Sequence, residues 1–240
     1  AHGGVYSKLG AAVGGALSLT SFDQPGHVRA ADWEDTGDLQ DSVVAMALDL
    51  LTQPMDIIGH SFGGAAAIRV AIERPEMVRT LSVIEPVMMA IAKVDNPAAS
   101  EEAYQEMEAF YDALQRGDRD LAAELFTKTY GDGCPWSSLS EESRAAISAR
   151  IHLISAGNRA AVEDPHDLIG SGKLEQITVP TLILDGGMSG KAMDSVCDGL
   201  ARRIPNSTRA RISNGGHMVP LTRPNAVGRE ILELISRAQA

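Results

Sequence analysis

The sequence is poor in aromatic residues and cysteines, and it contains no long apolar run. Phenylalanine, tyrosine and tryptophan make up 4% of its 240 residues, which gives no sign of a large stacking site. No run approaches the roughly eighteen apolar residues of a membrane-spanning helix. The two cysteines, Cys134 and Cys197, lack CxxC and zinc-ligand spacing, and the recorded N-terminus lacks a signal-peptide pattern. These absences predict a cytoplasmic protein with unpaired thiols, no membrane span and no bound metal.

Basic residues are also scarce. The chain has 21 Lys and Arg against 32 Asp and Glu, a formal net charge of −11. Most of the imbalance lies in residues 93–172, where 15 acidic residues face 7 basic ones. Because an acidic surface repels phosphate groups, nucleic acids and anionic membranes are unfavourable partners. We therefore expect a small-molecule substrate, and the sequence leaves the oligomeric state open.

Strand-like apolar runs alternate with helical patterns through much of the chain. The predicted strands cover residues 17–22, 55–59, 80–84, 180–184 and 207–212, and the helices between and after them cover 39–51, 63–72, 192–203 and 223–237. Asp38 directly precedes the first of these helices and is its expected N-cap. Such alternation is typical of an α/β fold, in which a mostly parallel sheet is covered by helices on both faces.

Residues 88–175 interrupt this alternation, because they carry only helical patterns. An all-helical insert after the strand that ends at Glu85 would lie over the carboxyl edge of the sheet, where ligands bind in open α/β sheets. We predict a first core segment at 1–87, a helical cap at 88–175 and a second core segment at 176–240.

The motif Gly59-His60-Ser61-Phe62-Gly63 has the pattern G-x-S-x-G, and it lies between a predicted strand and a predicted helix. This context is typical of a nucleophile elbow, a sharp turn that exposes the serine. The glycines two residues on either side of Ser61 are expected to avoid clashes with its strained backbone. His60 is interpreted as a packing residue or a wall of the pocket.

A serine hydroxyl needs a base to become a nucleophile near neutral pH, and histidine is the side chain best suited to that role. His217 follows the last predicted strand in the sequence Gly215-Gly216-His217-Met218, and it comes after the serine in chain order. We therefore predict that His217 is the base. The remaining histidines, His27, His152 and His166, are interpreted as structural or surface residues.

The sequence His2-Gly3-Gly4 suggests a second backbone element of the site. If it follows a strand end, the N–H of Gly4 can face the nucleophile. Together with the N–H of Phe62 it would form an oxyanion hole, supported by the positive end of the helix after Ser61.

Four segments follow one another in chain order: His2-Gly3-Gly4, Ser21-Phe22-Asp23-Gln24-Pro25-Gly26-His27, Gly59-His60-Ser61-Phe62-Gly63-Gly64 and Gly215-Gly216-His217-Met218. In these segments the chain resembles the α/β-hydrolase superfamily, and most of all the small bacterial serine esterases, enol-lactonases and carbon–carbon bond hydrolases. The resemblance covers the segments outside the predicted cap. It implies a catalytic triad, an acyl-enzyme intermediate and no cofactor. Members of the superfamily normally have further strands before the oxyanion loop, so whether an N-terminal segment precedes the recorded residues is left open.

The resemblance does not fix the acid of the triad. The commonest family pattern has an aspartate three residues after the glycine that ends the next-to-last core strand, but Ser189 stands at that distance from Gly186. Glu85 is favoured, because it ends the strand after the nucleophile's helix, the strand end from which haloalkane dehalogenases draw their acid. Asp185, which would face away from the site, and Asp194, within a helix, stay open as alternatives.

These residues predict a serine hydrolase that cleaves a small carboxylic ester or lactone. A serine at the elbow argues against haloalkane dehalogenase and epoxide hydrolase chemistry, in which an aspartate forms an alkyl ester. Two alternatives remain: a carbon–carbon bond hydrolase with the same triad, and a catalytically inactive ligand-binding member of the fold.

Overall fold

A computed structural model of the chain describes residues 3–34, 37–131 and 133–239. Within these ranges, four parallel strands form one sheet in the order β1-β2-β3-β4. They are β1 (Met55–His60), β2 (Val78–Ile84), β3 (Thr181–Gly186) and β4 (Ser207–Ile212). The predicted parallel α/β architecture is confirmed, and the carboxyl ends of all four strands lie at one edge.

Twelve α-helices are present in the described ranges, and none of them is long and apolar enough to cross a membrane. They are α1 (Ser7–Ala12), α2 (Leu39–Leu50), α3 (Phe62–Glu73), α4 (Met89–Asp95), α5 (Pro97–Gln115), α6 (Arg119–Tyr130), α7 (Glu141–Arg150), α8 (His152–Ala156), α9 (Asn158–Val162), α10 (Lys191–Arg203), α11 (Val219–Thr222) and α12 (Pro224–Gln239). The side chain of Asp38 accepts hydrogen bonds from two backbone N–H groups at the start of α2, which confirms its expected role as N-cap.

The sheet is buried on both faces, as its apolar strands require. Helices α2, α3, α4 and α10 pack on one face, around buried residues such as Ile68, Val83 and Ile183. Helices α1 and α12 cover the opposite face, where Leu182 and Leu184 of β3 contact them. Alternate residues of β3 therefore point to opposite layers, which fixes the direction of each side chain at the strand's end.

The strand expected at residues 17–22 does not form. This segment has no regular secondary structure, although its composition favours a strand. A strand is stabilised by backbone hydrogen bonds to a neighbour, and within the described residues this segment joins no ladder. The prediction was wrong because it rested on local propensity alone.

The segment between β2 and β3 is helical and, in its described part, contains no strand. Helices α5, α6 and α7 pack around a cluster of their own that includes Met107, Phe110 and Ile151. Helix α4 does not belong to this cluster. Its residue Ile91 is buried in the core next to the sheet, beside α10. The cap boundaries at residues 88 and 175 stay a prediction.

Candidate active site

Ser61 lies on a sharp turn between β1 and α3. Its backbone has φ 57° and ψ −126°, a conformation that is strained for a residue with a side chain. A Cβ atom at Gly59 would overlap the carbonyl oxygen of Gly63 and would lie 2.8 Å from Cβ of Ala67. The turn and α3 therefore pack too closely for any side chain at position 59.

The glycine on the other side of the turn has a different environment from the one expected. A Cβ atom at Gly63 would find its nearest neighbour, Nε2 of Gln24, at 3.6 Å, which is ordinary contact. The tight position is Gly64, where a Cβ atom would lie 3.0 Å from Cβ of Pro86. The expected clash at position 63 was therefore wrong. The close contact is at the following residue, because Pro86, just after β2, lies against Gly64.

His217 lies in the loop after β4, and its side chain contacts both other members of the predicted triad. Its Nε2 atom is 2.9 Å from Oγ of Ser61, and its Nδ1 atom is 3.2 Å from Oε2 of Glu85. A carboxylate can only accept hydrogen bonds, so Nδ1 carries the hydrogen and Nε2 is left to accept from the serine hydroxyl. The side chain of His217 is 10% exposed.

Glu85 directly follows β2 and is fully buried, with φ 49°. Its Oε1 atom accepts hydrogen bonds from the N–H of Gly186 at 2.6 Å and from the hydroxyl of Ser189 at 2.7 Å. Its Oε2 atom is directed to His217. A buried carboxylate is costly unless it is hydrogen-bonded, and here three donors surround it. The role of Ser189 was not foreseen, although its position after Gly186 had been noted.

The two alternative acids are occupied elsewhere. Asp185 is buried and accepts hydrogen bonds from Arg209 at 2.9 Å and from Arg211 at 2.8 Å. Asp194 lies on α10, and its hydrogen bond from Arg209 at 2.5 Å lowers the pKa of its carboxyl below the usual range. Of the three candidate acids, the structure brings only Glu85 to the imidazole.

The structure gives less support for the predicted oxyanion-hole residues than for the three side chains of the triad. Phe62 is the first residue of α3, so its N–H has no intrahelical acceptor and is available at the helix N-terminus. Gly4 is exposed and belongs to a short 3-10 helix (Gly3–Tyr6). His2 lies outside the described residues. The pairing of Phe62 and Gly4 as an oxyanion hole stays a prediction.

A tyrosine of the helical segment contacts the imidazole, which the sequence did not indicate. The rings of Tyr130 and His217 have centroids 5.4 Å apart and planes inclined by 74°. Tyr130 ends α6 and packs on Phe126, and burial raises the pKa of its phenol to about 12. A neutral aromatic ring therefore forms one wall beside the histidine.

Fold and site together define an α/β protein with a serine on a strand–turn–helix elbow and a histidine loop after the last strand. A model of the alpha/beta hydrolase family matches residues 1–230. The chain therefore belongs to the alpha/beta hydrolase family.

Individual relatives agree with this assignment. The chain is 26% identical over 223 residues to an (E)-2-((N-methylformamido)methylene)succinate hydrolase from Acinetobacter baylyi, covering 88% of this chain and 77% of the relative. It is 22% identical over 239 residues to a pimeloyl-acyl-carrier-protein methyl ester esterase from Nitrosomonas europaea, covering 93% and 87%. Among solved structures, an alpha/beta hydrolase from Sphaerobacter thermophilus matches with a TM-score of 0.68 at 19% identity, covering 98% and 88%.

Proposed function

We propose that the protein is a serine hydrolase that cleaves a small carboxylic ester or lactone through an acyl-enzyme. The observation that carries the proposal is the continuous chain of hydrogen bonds from Ser61 through His217 to Glu85, at 2.9 and 3.2 Å. The methyl ester esterase among its relatives supports the same bond type. The acidic character of residues 93–172 favours a substrate without strong negative charge.

In the proposed mechanism, Nε2 of His217 takes the proton of the Ser61 hydroxyl as the oxygen attacks the substrate carbonyl. Glu85 holds the imidazole in the required tautomer and stabilises the imidazolium that forms. The oxyanion lies at the N-terminus of α3, where the N–H of Phe62 and the helix dipole stabilise it, with Gly4 as the second donor. His217 then returns the proton to the leaving alcohol.

The second half repeats these roles with water as the nucleophile. His217 accepts a proton from the water, whose oxygen attacks the acyl carbonyl, and the ester bond to Ser61 breaks as the imidazolium returns that proton to the serine oxygen. The products are a carboxylic acid and an alcohol, or a single hydroxy acid from a lactone. In both halves His217 carries the proton between the attacking oxygen and the leaving oxygen.

The test compares hydrolysis of short-chain p-nitrophenyl esters by the wild type, Ser61→Ala and Ser195→Ala, a serine of α10 as matched control. We expect the control to keep its activity, and Ser61→Ala to lose at least about 1,000-fold in kcat, as triad removal does in other serine hydrolases. A fluorophosphonate should label Ser61 in the wild type.

Other outcomes separate the alternatives. Equal turnover by the wild type and Ser61→Ala would refute the assignment of the nucleophile. Labelling of Ser61 without ester turnover would favour a carbon–carbon bond hydrolase with the same triad. The absence of both labelling and turnover would favour a ligand-binding member of the fold.

A further inference from the structure

His60 is a buried histidine beside the nucleophile that the proposed mechanism does not use. The residue is 6% exposed, and its Nε2 atom lies 2.8 Å from the backbone carbonyl oxygen of His217. The two imidazole centroids are 5.1 Å apart. A carbonyl oxygen only accepts hydrogen bonds, so Nε2 of His60 carries the hydrogen and donates it. His60 thus binds the backbone of the residue whose side chain meets Ser61.

This hydrogen bond connects a residue at the end of one outer strand of the sheet, β1, to a residue beyond the end of the other, β4. His60 is the last residue of β1, whereas His217 follows β4, and β2 and β3 lie between these strands. At about 4.8 Å per strand, β1 and β4 are roughly 14 Å apart, so the loop after β4 must cross the carboxyl edge to reach Ser61. The loop's first half is bound to the residues just after β3, where the N–H of Met188 donates to the carbonyl of Gly215 at 2.8 Å. His60 supplies the contact at its far end.

We propose that His60 is a positioning residue, whose hydrogen bond to the His217 carbonyl holds the imidazole at the distance from Ser61 that proton transfer requires. The inference rests on the proposed function, because it takes His217 as the base. Residues 60 and 61 are adjacent in the chain, so the bond ties the backbone of the nucleophile to the backbone of the base. This tie persists when the side-chain hydrogen bond between Ser61 and His217 opens during the reaction.

The surroundings of His60 keep its ring neutral. Burial and, as a smaller cause, the nearby charge of a protonated His217 lower the pKa of His60 to about 3. The ring of Tyr6 meets it edge-on at 6.5 Å, and burial raises the pKa of that phenol to about 12. A neutral His60 keeps its Nε2–H near neutral pH, and it places no positive charge beside the imidazolium that forms on His217.

The experiment measures the rate at which a fluorophosphonate labels Ser61, which needs an activated serine but no knowledge of the natural substrate. His60→Phe keeps a ring and loses the donor, whereas His60→Gln loses the ring but restores an N–H donor at a similar distance from the backbone. Ile231→Ala, in the core between α12 and the sheet, is the control for lost stability. We expect labelling to slow by about 10- to 100-fold in His60→Phe, because small misplacements of catalytic groups lower reaction rates by such factors. His60→Gln should recover most of the rate, and Ile231→Ala should keep it.

A second readout does not depend on reactivity. Nitrogen-15 shifts of the His60 ring, recorded in Ser61→Ala, report which ring nitrogen carries the hydrogen, and we expect Nε2 to carry it near neutral pH. Hydrogen on Nδ1 alone, or an unchanged labelling rate in folded His60→Phe, would overturn the inference. Failure of the proposed function looks different, because the wild type would then not hydrolyse esters, whether or not Ser61 is labelled.

Discussion

Replacing Glu85 by glutamine tests the acid of the proposed triad with almost no change in shape. In the native site, the N–H of Gly186 and the hydroxyl of Ser189 both converge on Oε1, at 2.6 and 2.7 Å. Only Oε2, 3.2 Å from Nδ1 of His217, serves the imidazole. Glutamine has one oxygen, and the two donors favour its placement at the Oε1 position. The amide –NH2 then faces His217.

An –NH2 group cannot accept a hydrogen bond, so Nδ1 of His217 would become the acceptor and Nε2 would carry the hydrogen. That tautomer cannot take the proton of Ser61. In serine proteases the corresponding acid-to-amide change lowers kcat by about 10⁴-fold, or about 5.4 kcal/mol at 1.36 kcal/mol per factor of ten.

A flipped amide would restore the tautomer, but it would turn –NH2 towards the N–H of Gly186. An unsatisfied buried donor costs about 1–3 kcal/mol, which limits the flipped population to about one fifth at the lower cost and about one part in 160 at the higher. The flipped form also lacks the negative charge that stabilises the imidazolium on His217. We therefore expect kcat of Glu85→Gln to fall by about 100-fold to 10⁴-fold.

The assay is p-nitrophenyl acetate hydrolysis, with urea unfolding to show that the variant is folded. Asp194→Asn is the matched control, because this alternative acid is partly exposed and bound to Arg209. The control should keep most of its activity. The reasoning fails if folded Glu85→Gln keeps more than about one tenth of the wild-type kcat, or if Asp194→Asn loses as much.

Three further predictions follow from close contacts and burial. Gly59→Ala should cost about 3 kcal/mol or more in unfolding free energy, because its Cβ would overlap a backbone carbonyl oxygen; wild-type stability in urea would contradict the elbow geometry. Gly157→Ala would place Cβ 2.8 Å from the ring of Phe62, so we expect its free energy of unfolding to fall by about 1–3 kcal/mol and its kcat/KM to decrease. Gly190→Ala, which has open space around it, is the control and should change neither quantity. The pKa of His60 is lowered from 6.5 to about 3, so the unfolded chain binds the extra proton and stability should fall as pH drops below 6.5, by up to about 1.4 kcal/mol per pH unit. Urea unfolding at pH 7 and pH 5 would detect this slope, and His60→Phe should reduce it.

The features that the sequence predicted well are those with a local signal. The strands before Ser61 and before His217 could be identified because each is followed by a glycine-containing turn. The elbow motif predicted a strand–turn–helix unit, and the structure has it. Asp38 was identified as a helix cap from its position before a periodic apolar segment. Each of these inferences needs only a few neighbouring residues.

The features that were missed depend on neighbours distant in the chain. The segment at residues 17–22 has strand propensity but no ladder partner within the described residues. The tight glycine of α3 is Gly64, because Pro86 from another strand end approaches it. Tyr130 reaches His217 from the helical segment, and no periodicity indicates which aromatic residue of that segment will do so. Such contacts follow from strand order and helix packing, which local patterns do not determine.

The choice of acid shows how strand order decides chemistry. β2 lies between β1 and β3, so a carboxylate at the end of β2 is next to Ser61 on one side and next to the residues after β3 on the other. That arrangement brings the hydroxyl of Ser189 to Glu85 at 2.7 Å. An aspartate at position 189 would bring a second carboxylate to the same place, and two carboxylates this close do not both ionise near neutral pH. A serine at position 189 is therefore compatible with a glutamate at position 85, because its hydroxyl donates a hydrogen bond that the buried carboxylate needs.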